Sequence, residues 1–414
     1  MIVRPWWPIV LAFAALVVGA VDSLRFVLAV DGRPAFTGRM TIDATSYLAN
    51  ARAMIEAGDF VYSPDRYHSL GMSMYTALFM RTSSQGILAL QLANVVLWTV
   101  AMGLVFVLGR RAFRIDVAAM VAVVGAAQSI LGRRYCGIVQ YEVLAMLLVA
   151  TTIALARGAE RDRRAAFALG IAGACLAMIR VHFALVTGFV FLDAVRVAWS
   201  SSDASDRRAR VGALAAQAAA FALVLGAVVM VLSVREKAFV FVQDARSGAA
   251  WLRRLNPNAT GAMWPYPEPA EPHGLAFVLR APDLYLRFLG RKALFLIGYE
   301  RDTWSLPSES ARVLVRTFGV DARVANRGVA VSYASVVVLG LARIARGWSR
   351  EPIELRACAL SIAALLLPQV LVGSSTRLLV PFLPAFALVA TRAFVVPTKA
   401  ARLRGSSDSL EGSR

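Results

Sequence analysis

The stretch GILALQLANVVLWTVAMGLVFVLGRRAFR, residues 86–114, decides the class of fold. Residues 86–108 contain no charged side chain. A run of about 20 apolar residues is long enough to cross the hydrocarbon layer of a membrane as one helix. Arg110, Arg111 and Arg114 follow this run directly. Because cytoplasmic loops of membrane proteins carry an excess of Arg and Lys, the pattern predicts a transmembrane helix that ends on the cytoplasmic side.

The composition of the whole chain is that of a polytopic membrane protein. Of its 414 residues, 58% are hydrophobic and 17% are charged, and the mean hydropathy is +0.61. One soluble core does not need so many apolar residues. The net charge is +19, but most basic residues fall between apolar runs, where they orient a membrane protein. The expected partner is therefore the lipid bilayer, and no nucleic acid is expected.

Apolar runs recur along the chain and predict an all-α, polytopic bundle of about ten transmembrane helices. The expected spans are residues 8–30, 86–108, 117–132, 141–156, 165–180, 182–198, 212–234, 328–346, 355–373 and 377–396. The first run is followed by no convincing cleavage site, so we interpret it as a retained helix and not a signal peptide. Arg clusters occupy alternate turns, which predicts that both termini are cytoplasmic. We expect one transmembrane domain, residues 1–396, and a disordered cytoplasmic tail, residues 397–414.

Two long segments, residues 31–85 and 235–327, are predicted to lie on the outer side. Within the second, LYLRFLGRKALFLIGYERD, residues 284–302, combines apolar residues with Arg287, Arg291 and Lys292. This mixture is typical of an amphipathic helix in the membrane interface. Three cysteines without CxxC spacing predict neither a disulfide framework nor a metal site.

The first outer segment contains MTIDATSYLANARAMIEAGDF, residues 40–60. Its apolar residues recur at helical spacing and Gly58 stands in the C-cap position, so a short helix at the outer membrane surface is predicted. Asp43 opens this segment. One interpretation makes Asp43 the N-cap of the helix. The other makes it a general base at the outer mouth of the bundle.

Four further polar residues lie near the outer ends of predicted spans: Glu142, Arg180, His182 and Arg377. An acid such as Glu142 either faces a cavity or partner, or reaches interfacial water. Arg180 either extends to the lipid headgroups or contacts an anionic ligand. His182 beside it is more often a packed residue than a catalyst. Arg377 opens a span that Pro381 and Pro384 bend or break.

Taken in order, these motifs resemble the type C glycosyltransferase superfamily, the multispan enzymes that take a sugar from a polyprenyl phosphate carrier. The likeness is to bacterial relatives of the protein O-mannosyltransferases and of the lipid A aminoarabinose transferases. It covers residues 1–200 and 370–396. The motifs that carry it are Asp43 with Tyr47 and AGDF, then RYHSLGMSMYTALF, VLGRRAFRIDVAAMVA, Tyr135, Tyr141, Glu142, Arg180 and TRLLVPFLPAF.

The resemblance implies an enzyme that moves a sugar from a polyprenyl phosphate donor to a lipid, glycan or protein acceptor in the cell envelope. It implies a single displacement with inversion, in which Asp43 is the catalytic base. The residues implied to contact substrate are Tyr47, Glu142, Arg180, His182 and Arg377. No cofactor is expected. Ala44 stands where many relatives have a second acid, so a metal requirement is left open.

Two other classes of protein stay open. A transporter or lipid flippase also carries charged residues in its spans, although we find no repeated halves with broken helices in the sequence. A noncatalytic protein of envelope assembly would keep the spans without the chemistry. The high Ala and Arg content indicates a bacterium with GC-rich DNA, and hence the plasma membrane.

Overall fold

The computed structural model describes residues 6–30, 40–62, 70–127, 129–237, 239–240, 282–296, 308–371 and 376–395. Every regular element in these ranges is helical, which confirms the predicted all-α fold. The predicted tail, residues 397–414, and much of the predicted outer segment 235–327 lie outside the described residues.

The described helices follow the predicted pattern closely. Their bounds are α1 Trp7–Val30, α2 Met40–Glu56, α3 Leu70–Thr82, α4 Gly86–Phe113, α5 Asp116–Ala127, α6 Ile130–Arg134, α7 Glu142–Ala159, α8 Arg163–Ile179, α9 Ala184–Trp199, α10 Ala204–Glu236, α11 Pro282–Leu296, α12 Ser308–Phe318, α13 Ala322–Arg346, α14 Ile353–Leu371 and α15 Leu383–Arg392. Short 3-10 turns at Tyr135–Gly137, Val181–Phe183, Trp348–Arg350 and Thr376–Phe382 connect some of them.

Each predicted span coincides with helical structure, and the chain is a multi-pass membrane protein. Six described helices are long and apolar enough to cross a membrane: α1, α4, α7, α9 with the turn before it, α10 and α13. The remaining four segments are α5, α8, α14 and α15, of 12, 17, 19 and 10 residues. That these four also cross the membrane stays a prediction.

The central helices of the bundle are α4 and α7. Helix α4 packs against α1, α3, α5 and α7, and α7 also packs against α8 and α14. Trp98 of α4 is fully buried, and Gly19 of α1 lies so close to its indole ring that a Cβ at Gly19 would overlap it. Since hydrocarbon gives helices no hydrophobic reason to associate, small residues that permit close packing hold membrane helices together.

Two helices in the segment that is predicted to lie on the outer side are amphipathic. Helix α11 lies in the segment predicted to be an interfacial helix, and its Leu286 is exposed. Helix α12 exposes Val313 and Phe318. Exposed apolar side chains on a helix with a polar face suit the boundary between headgroups and acyl chains. The interfacial position itself stays a prediction.

One end of the bundle is held together by ion pairs between turns that are far apart in sequence. The turn between α7 and α8 contributes Glu160, which pairs with Arg210 of α10 and with Arg356 of α14 at 3.5 and 3.3 Å. Arg356 also lies 3.5 Å from Asp193 of α9. Arg392 of α15 meets Glu351 at 2.6 Å, with both side chains buried. The turns that were predicted to share one side of the membrane therefore lie together at one end, called here the arginine-rich end.

The buried pairs at the arginine-rich end make the bundle sensitive to the loss of one partner. Removing one partner of a buried ion pair costs about 3–5 kcal/mol, because the other charge is left without compensation. Arg157, whose side chain is half exposed, pairs with the fully buried Glu354 at 2.8 Å. Exposed pairs contribute roughly 0–1 kcal/mol, so the rigidity of this end comes from its buried carboxylates.

We expect the arginine-rich end to face the cytoplasm. Topology reporters fused after Gly58, which follows α2, and after Ser202, between α9 and α10, should report opposite compartments, with Ser202 cytoplasmic. The reason is that Arg207, Arg208 and Arg210 flank the second site. Cytoplasmic signals from both fusions would contradict the predicted orientation. A fusion after Gly347, in another arginine-rich turn, serves as the matched control for Ser202.

Candidate functional site

Asp43 lies in the first turn of α2, which begins at Met40. The predicted N-cap role is therefore wrong, because an N-cap residue precedes the first helical residue. Asp43 is partly buried, whereas Tyr47, one turn further on, is fully buried in the main core. Residues four apart occupy one face of a helix, so Asp43 lies on the same face of α2 as the buried Tyr47, at the edge of the main core.

The end of α2 is fixed as the sequence predicts. Gly58 has a φ of +63°, and the N–H groups of Gly58 and Asp59 donate to the carbonyls of Ile55 and Met54 at 3.1 and 2.9 Å. This is the Schellman arrangement that satisfies the last carbonyls of a helix. The carboxylate of Asp59 then pairs with Arg235 at the far end of α10. Helix α2 therefore lies at the end of the bundle opposite the arginine-rich end.

Helix α3 was not predicted from the sequence, which was interpreted there only as part of an outer segment. Its buried residues include Leu70, Ser73 and Ala77, whose helical spacing is the signal that could have identified it. Gly71 lies so close to the backbone of Met178, near the end of α8, that a Cβ there would stand 3.0 Å from it. Helix α3 packs against both α2 and α8. It therefore connects the helix of Asp43 to the segment that carries Arg180.

The connection between α6 and α7, residues 135–141, is fully buried although it is not α-helical. We call it the buried connection. In hydrocarbon, irregular backbone is tolerated only where protein or a cavity satisfies its polar groups. Gln91 of α4 satisfies one of them by donating to the carbonyl of Gly137 at 2.8 Å. Cys136 Sγ lies 3.7 Å from the carbonyl oxygen of Asn94.

Tyr75 of α3 completes the contact of this region with α4. Its hydroxyl donates to Asn94 Oδ1 at 3.3 Å. Burial raises the pKa of the Tyr75 phenol, with a further contribution from Cys136. The hydroxyl therefore keeps its proton and remains a hydrogen-bond donor at neutral pH.

The backbone breaks at Arg180 between α8 and the next turn. Arg180 has extended φ and ψ angles of −154° and 127°, and its N–H donates to the carbonyl of Leu176 at 2.9 Å. The break turns the guanidinium over the ring of Tyr141, the last residue of the buried connection, at 4.6 Å from the ring centroid. A cation over a buried aromatic face is held in one orientation. Arg180 is therefore directed at the interior of the bundle.

Aromatic contacts extend from Tyr141 to neighbouring elements. Phe183 lies edge-on to Tyr141 with ring centroids 5.9 Å apart, and Phe382 lies edge-on to Phe183 at 5.6 Å. His182 lies 4.7 Å from the ring of Phe183 and is partly buried. Phe382 ends the 3-10 turn Thr376–Phe382, which contains Arg377 and packs against α7. The side chain of Arg377 is outside the described part of the structure.

Glu142 is the first residue of α7 and is fully buried. The interpretation in which its carboxylate reaches interfacial water is therefore wrong. An acid in the first turn of a helix is favoured by the positive end of the helix dipole. Its position next to Tyr141 brings it to the same end of the bundle as Arg180 and His182.

The structure thus places Glu142, Arg180 and His182 beside Tyr141 and Phe183. The turn that contains Arg377 packs against α7 and reaches Phe183 through Phe382. Asp43 and Tyr47 belong to α2, which packs against α3, and α3 in turn packs against α4 and α8. The substrate contacts implied for these residues stay predictions. Among the described residues, no cluster of three His, Cys, Asp or Glu side chains is placed to hold a metal ion.

Sequence reasoning missed the residues that support this arrangement. Gln91 lies in an apolar run, and its hydrogen-bond partner, the carbonyl of Gly137, is 46 residues away in the sequence. Asp22 of α1 pairs with Arg133 of α6 at 3.0 Å, although 110 residues lie between them. An acid in the first predicted span was the available signal, since charged residues in membrane segments almost always pair or face the protein interior.

Comparison with known proteins identifies the fold. The chain is similar to the crystal structure of ArnT from Cupriavidus metallidurans bound to undecaprenyl phosphate, with a TM-score of 0.53 and 14% sequence identity. The match covers 98% of this chain and 64% of that one, so this chain spans less than two thirds of the length of ArnT. No family model and no curated protein sequence matches the chain. The chain therefore shares the fold of ArnT, in agreement with the type C glycosyltransferase-like fold that the sequence motifs predicted.

A second similar structure is that of the archaeal oligosaccharyltransferase AglB from Archaeoglobus fulgidus in complex with an inhibitory peptide and a dolichol-phosphate. Its TM-score is 0.45 at 13% identity, and the match covers 99% of this chain and 53% of that one.

Replacing Gln91 with Leu should destabilise the protein by about 1–3 kcal/mol, because the buried carbonyl of Gly137 loses its donor. Thermal unfolding of the purified protein in detergent measures this loss. Gln85→Leu is the matched control, since Gln85 is exposed just before α4 and should stay within about 0.5 kcal/mol of wild type. Equal stability of the two variants would contradict the role assigned to Gln91.

Proposed function

We propose that this protein is an integral-membrane glycosyltransferase that moves a sugar from a polyprenyl phosphate carrier to a cell-envelope acceptor at the outer face. The observation that carries the proposal is the fixed position of Arg180 over Tyr141, beside Glu142 and the turn of Arg377, at the end of the bundle away from the arginine-rich turns. The likeness in fold to ArnT, whose structure holds undecaprenyl phosphate, supports a lipid phosphate as the donor's leaving group.

The proposed reaction is a single displacement. Asp43 takes the proton of the acceptor hydroxyl while the hydroxyl oxygen forms a bond to the anomeric carbon of the sugar. The bond from that carbon to the carrier phosphate oxygen breaks in the same step, and the phosphate leaves as an anion. Attack opposite the leaving group inverts the anomeric configuration.

The two arginines have the role of stabilising the leaving phosphate. Arginine presents several donors in a planar fork that matches phosphate oxygens, and such bonds are strong where water is excluded. In this proposal Arg180 binds the phosphate of the carrier, oriented by the ring of Tyr141. Arg377 has the same role on the basis of its position in the sequence pattern. Tyr47, Glu142 and His182 line the site.

Two broken membrane segments favour a transporter or flippase as the second candidate. The predicted span 117–132 is divided between two helices, α5 and α6. The predicted span 377–396 begins with the turn Thr376–Phe382 before α15 starts. Broken helices often carry the substrate sites of transporters. The buried ion pairs at the arginine-rich end favour the enzyme instead, because alternating access requires the inner end to open.

Transfer of radiolabel distinguishes these functions. Purified protein in liposomes is given a panel of radiolabelled polyprenyl phosphate sugars together with membrane extracts as acceptors. An enzyme transfers label to a new product, whereas a flippase only changes the leaflet of an intact carrier. Label that crosses the bilayer without transfer would refute the glycosyltransferase proposal.

Asp43→Asn should accumulate and insert normally but lose about 10²-fold or more in transfer rate, because an amide cannot accept the acceptor's proton. The side chain keeps its size, so α2 should form as before. The initial rate of label transfer measures the effect. Glu56→Gln, an exposed acid on the same helix, is the matched control and should transfer at the wild-type rate. Full activity of Asp43→Asn would rule out the base role.

Arg180→Ala and Arg377→Ala should each weaken carrier binding by about 1.5–3 kcal/mol, roughly 10- to 150-fold, because a charge-assisted contact to phosphate is lost. Arg→Lys variants should recover only part of the affinity, since lysine does not have the planar fork. Titration with an unlabelled polyprenyl phosphate measures binding directly. Arg114→Ala, at the arginine-rich end, is the control. Wild-type affinity in both Ala variants would refute the phosphate role.

A further inference from the structure

The charged residues of helix α1 are Asp22 and Arg25. Asp22 lies within the part of α1 that is long and apolar enough to cross a membrane. Its carboxylate accepts a contact from Arg133 Nη1 at 3.0 Å. A charge at membrane depth is costly without a partner, so this pair is a strong constraint on where α6 lies relative to α1.

A second contact on the same face of α1 supports this constraint. Phe26 follows Asp22 by one helical turn, and the guanidinium of Arg134 lies 4.5 Å from the centroid of its ring. Two consecutive arginines of α6 thus contact two positions of α1 that are four residues apart. Helix α6 is only five residues long, so its own backbone hydrogen bonds do not fix its position.

The central tryptophan holds α1 and α6 against the same surface of α4. Gly19 of α1 packs on the ring of Trp98. A Cβ at Gly132 of α6 would lie 3.4 Å from Trp98 Nε1. The close contact of Gly19 with the ring of Trp98 sets how near α1 lies to α4, and the Asp22–Arg133 pair then sets how α6 is rotated against α1.

The position of α6 matters because the buried connection begins directly after Arg134. That connection ends at Tyr141, whose ring lies beneath Arg180 at 4.6 Å. A shift at the start of the connection moves Tyr141, since buried backbone in a packed interior transmits displacement. The ion pair is therefore linked to the arginine that the proposed function assigns to the carrier phosphate.

We propose that the Asp22–Arg133 ion pair is a positioning device, which fixes the buried connection and through Tyr141 sets the orientation of Arg180 towards the carrier phosphate. This inference rests on the proposed function. Neither residue touches the substrate in this proposal. Arg133 acts through the buried connection, and Asp22 acts through Arg133.

The test combines enzyme kinetics with a readout that does not need activity. Cys136, in the buried connection, is the reporter, in a protein whose other cysteines are replaced by Cys175→Ala and Cys358→Ala. Because Cys136 is fully buried, N-ethylmaleimide should alkylate it slowly while the connection stays in place. Asp22→Asn should speed alkylation and raise the KM for the carrier, each about tenfold, with the acceptor KM unchanged.

Controls separate positioning from general loss of structure. Asp22→Glu should restore slow alkylation and most of the carrier affinity. Asp116→Asn breaks the 2.8 Å pair between Arg110 and Asp116 at the arginine-rich end, and it should leave both readouts at wild-type values. If Asp22→Asn does not accumulate, the exchanged pair Asp22→Arg with Arg133→Asp should accumulate and keep Cys136 protected.

Each outcome decides the proposal. Wild-type alkylation and carrier KM in Asp22→Asn would overturn it, as would rapid alkylation in the exchanged pair. A raised carrier KM with slow alkylation would also overturn it, because Asp22 would then act on the carrier directly. Rapid alkylation in Asp22→Asn, in a protein whose wild type transfers no sugar, would support the positioning of the connection and refute the proposed glycosyltransferase function.

Discussion

The structure depends on one constraint, which is that a backbone polar group inside a membrane protein needs a partner within the protein. Residues 135–141 are buried without forming an α-helix. Within the segment the N–H groups of Ile138 and Gln140 donate to the carbonyls of Tyr135 and Ile138, and the remaining polar groups need partners elsewhere in the protein. Gln91 supplies one such bond to Gly137. Because this connection is held, Tyr141 and Glu142 occupy defined positions at one end of the bundle. The candidate site is built on that fixed segment.

The two ends of the bundle use charge in different ways. At the arginine-rich end, several acids pair with arginines from other turns, as Glu160 does with Arg210 and Arg356. In these pairs each charge has a partner of opposite sign, and the pairs join the turns of that end to one another. At the opposite end the guanidinium of Arg180 lies over the ring of Tyr141.

The arrangement also explains why the implied site residues come from distant parts of the sequence. Helix α3 packs against both α2 and α8. The turn Thr376–Phe382, near the end of the chain, packs against α7. Phe183 and Phe382 meet where these parts converge. These packing contacts bring residues from distant parts of the sequence to one end of the bundle.

The sequence by itself determined the helical class, the bounds of most spans, the helix α2 within the first outer segment and the sharing of one end by the arginine clusters. These features follow from local hydropathy, glycine at a helix end and the position of charges, all of which are readable along the chain. Only the tertiary structure decided that Asp43 is not an N-cap, that Glu142 is fully buried, and that Asp22 pairs with Arg133. Burial and pairing depend on residues brought together from far apart in sequence, and no local pattern records that proximity.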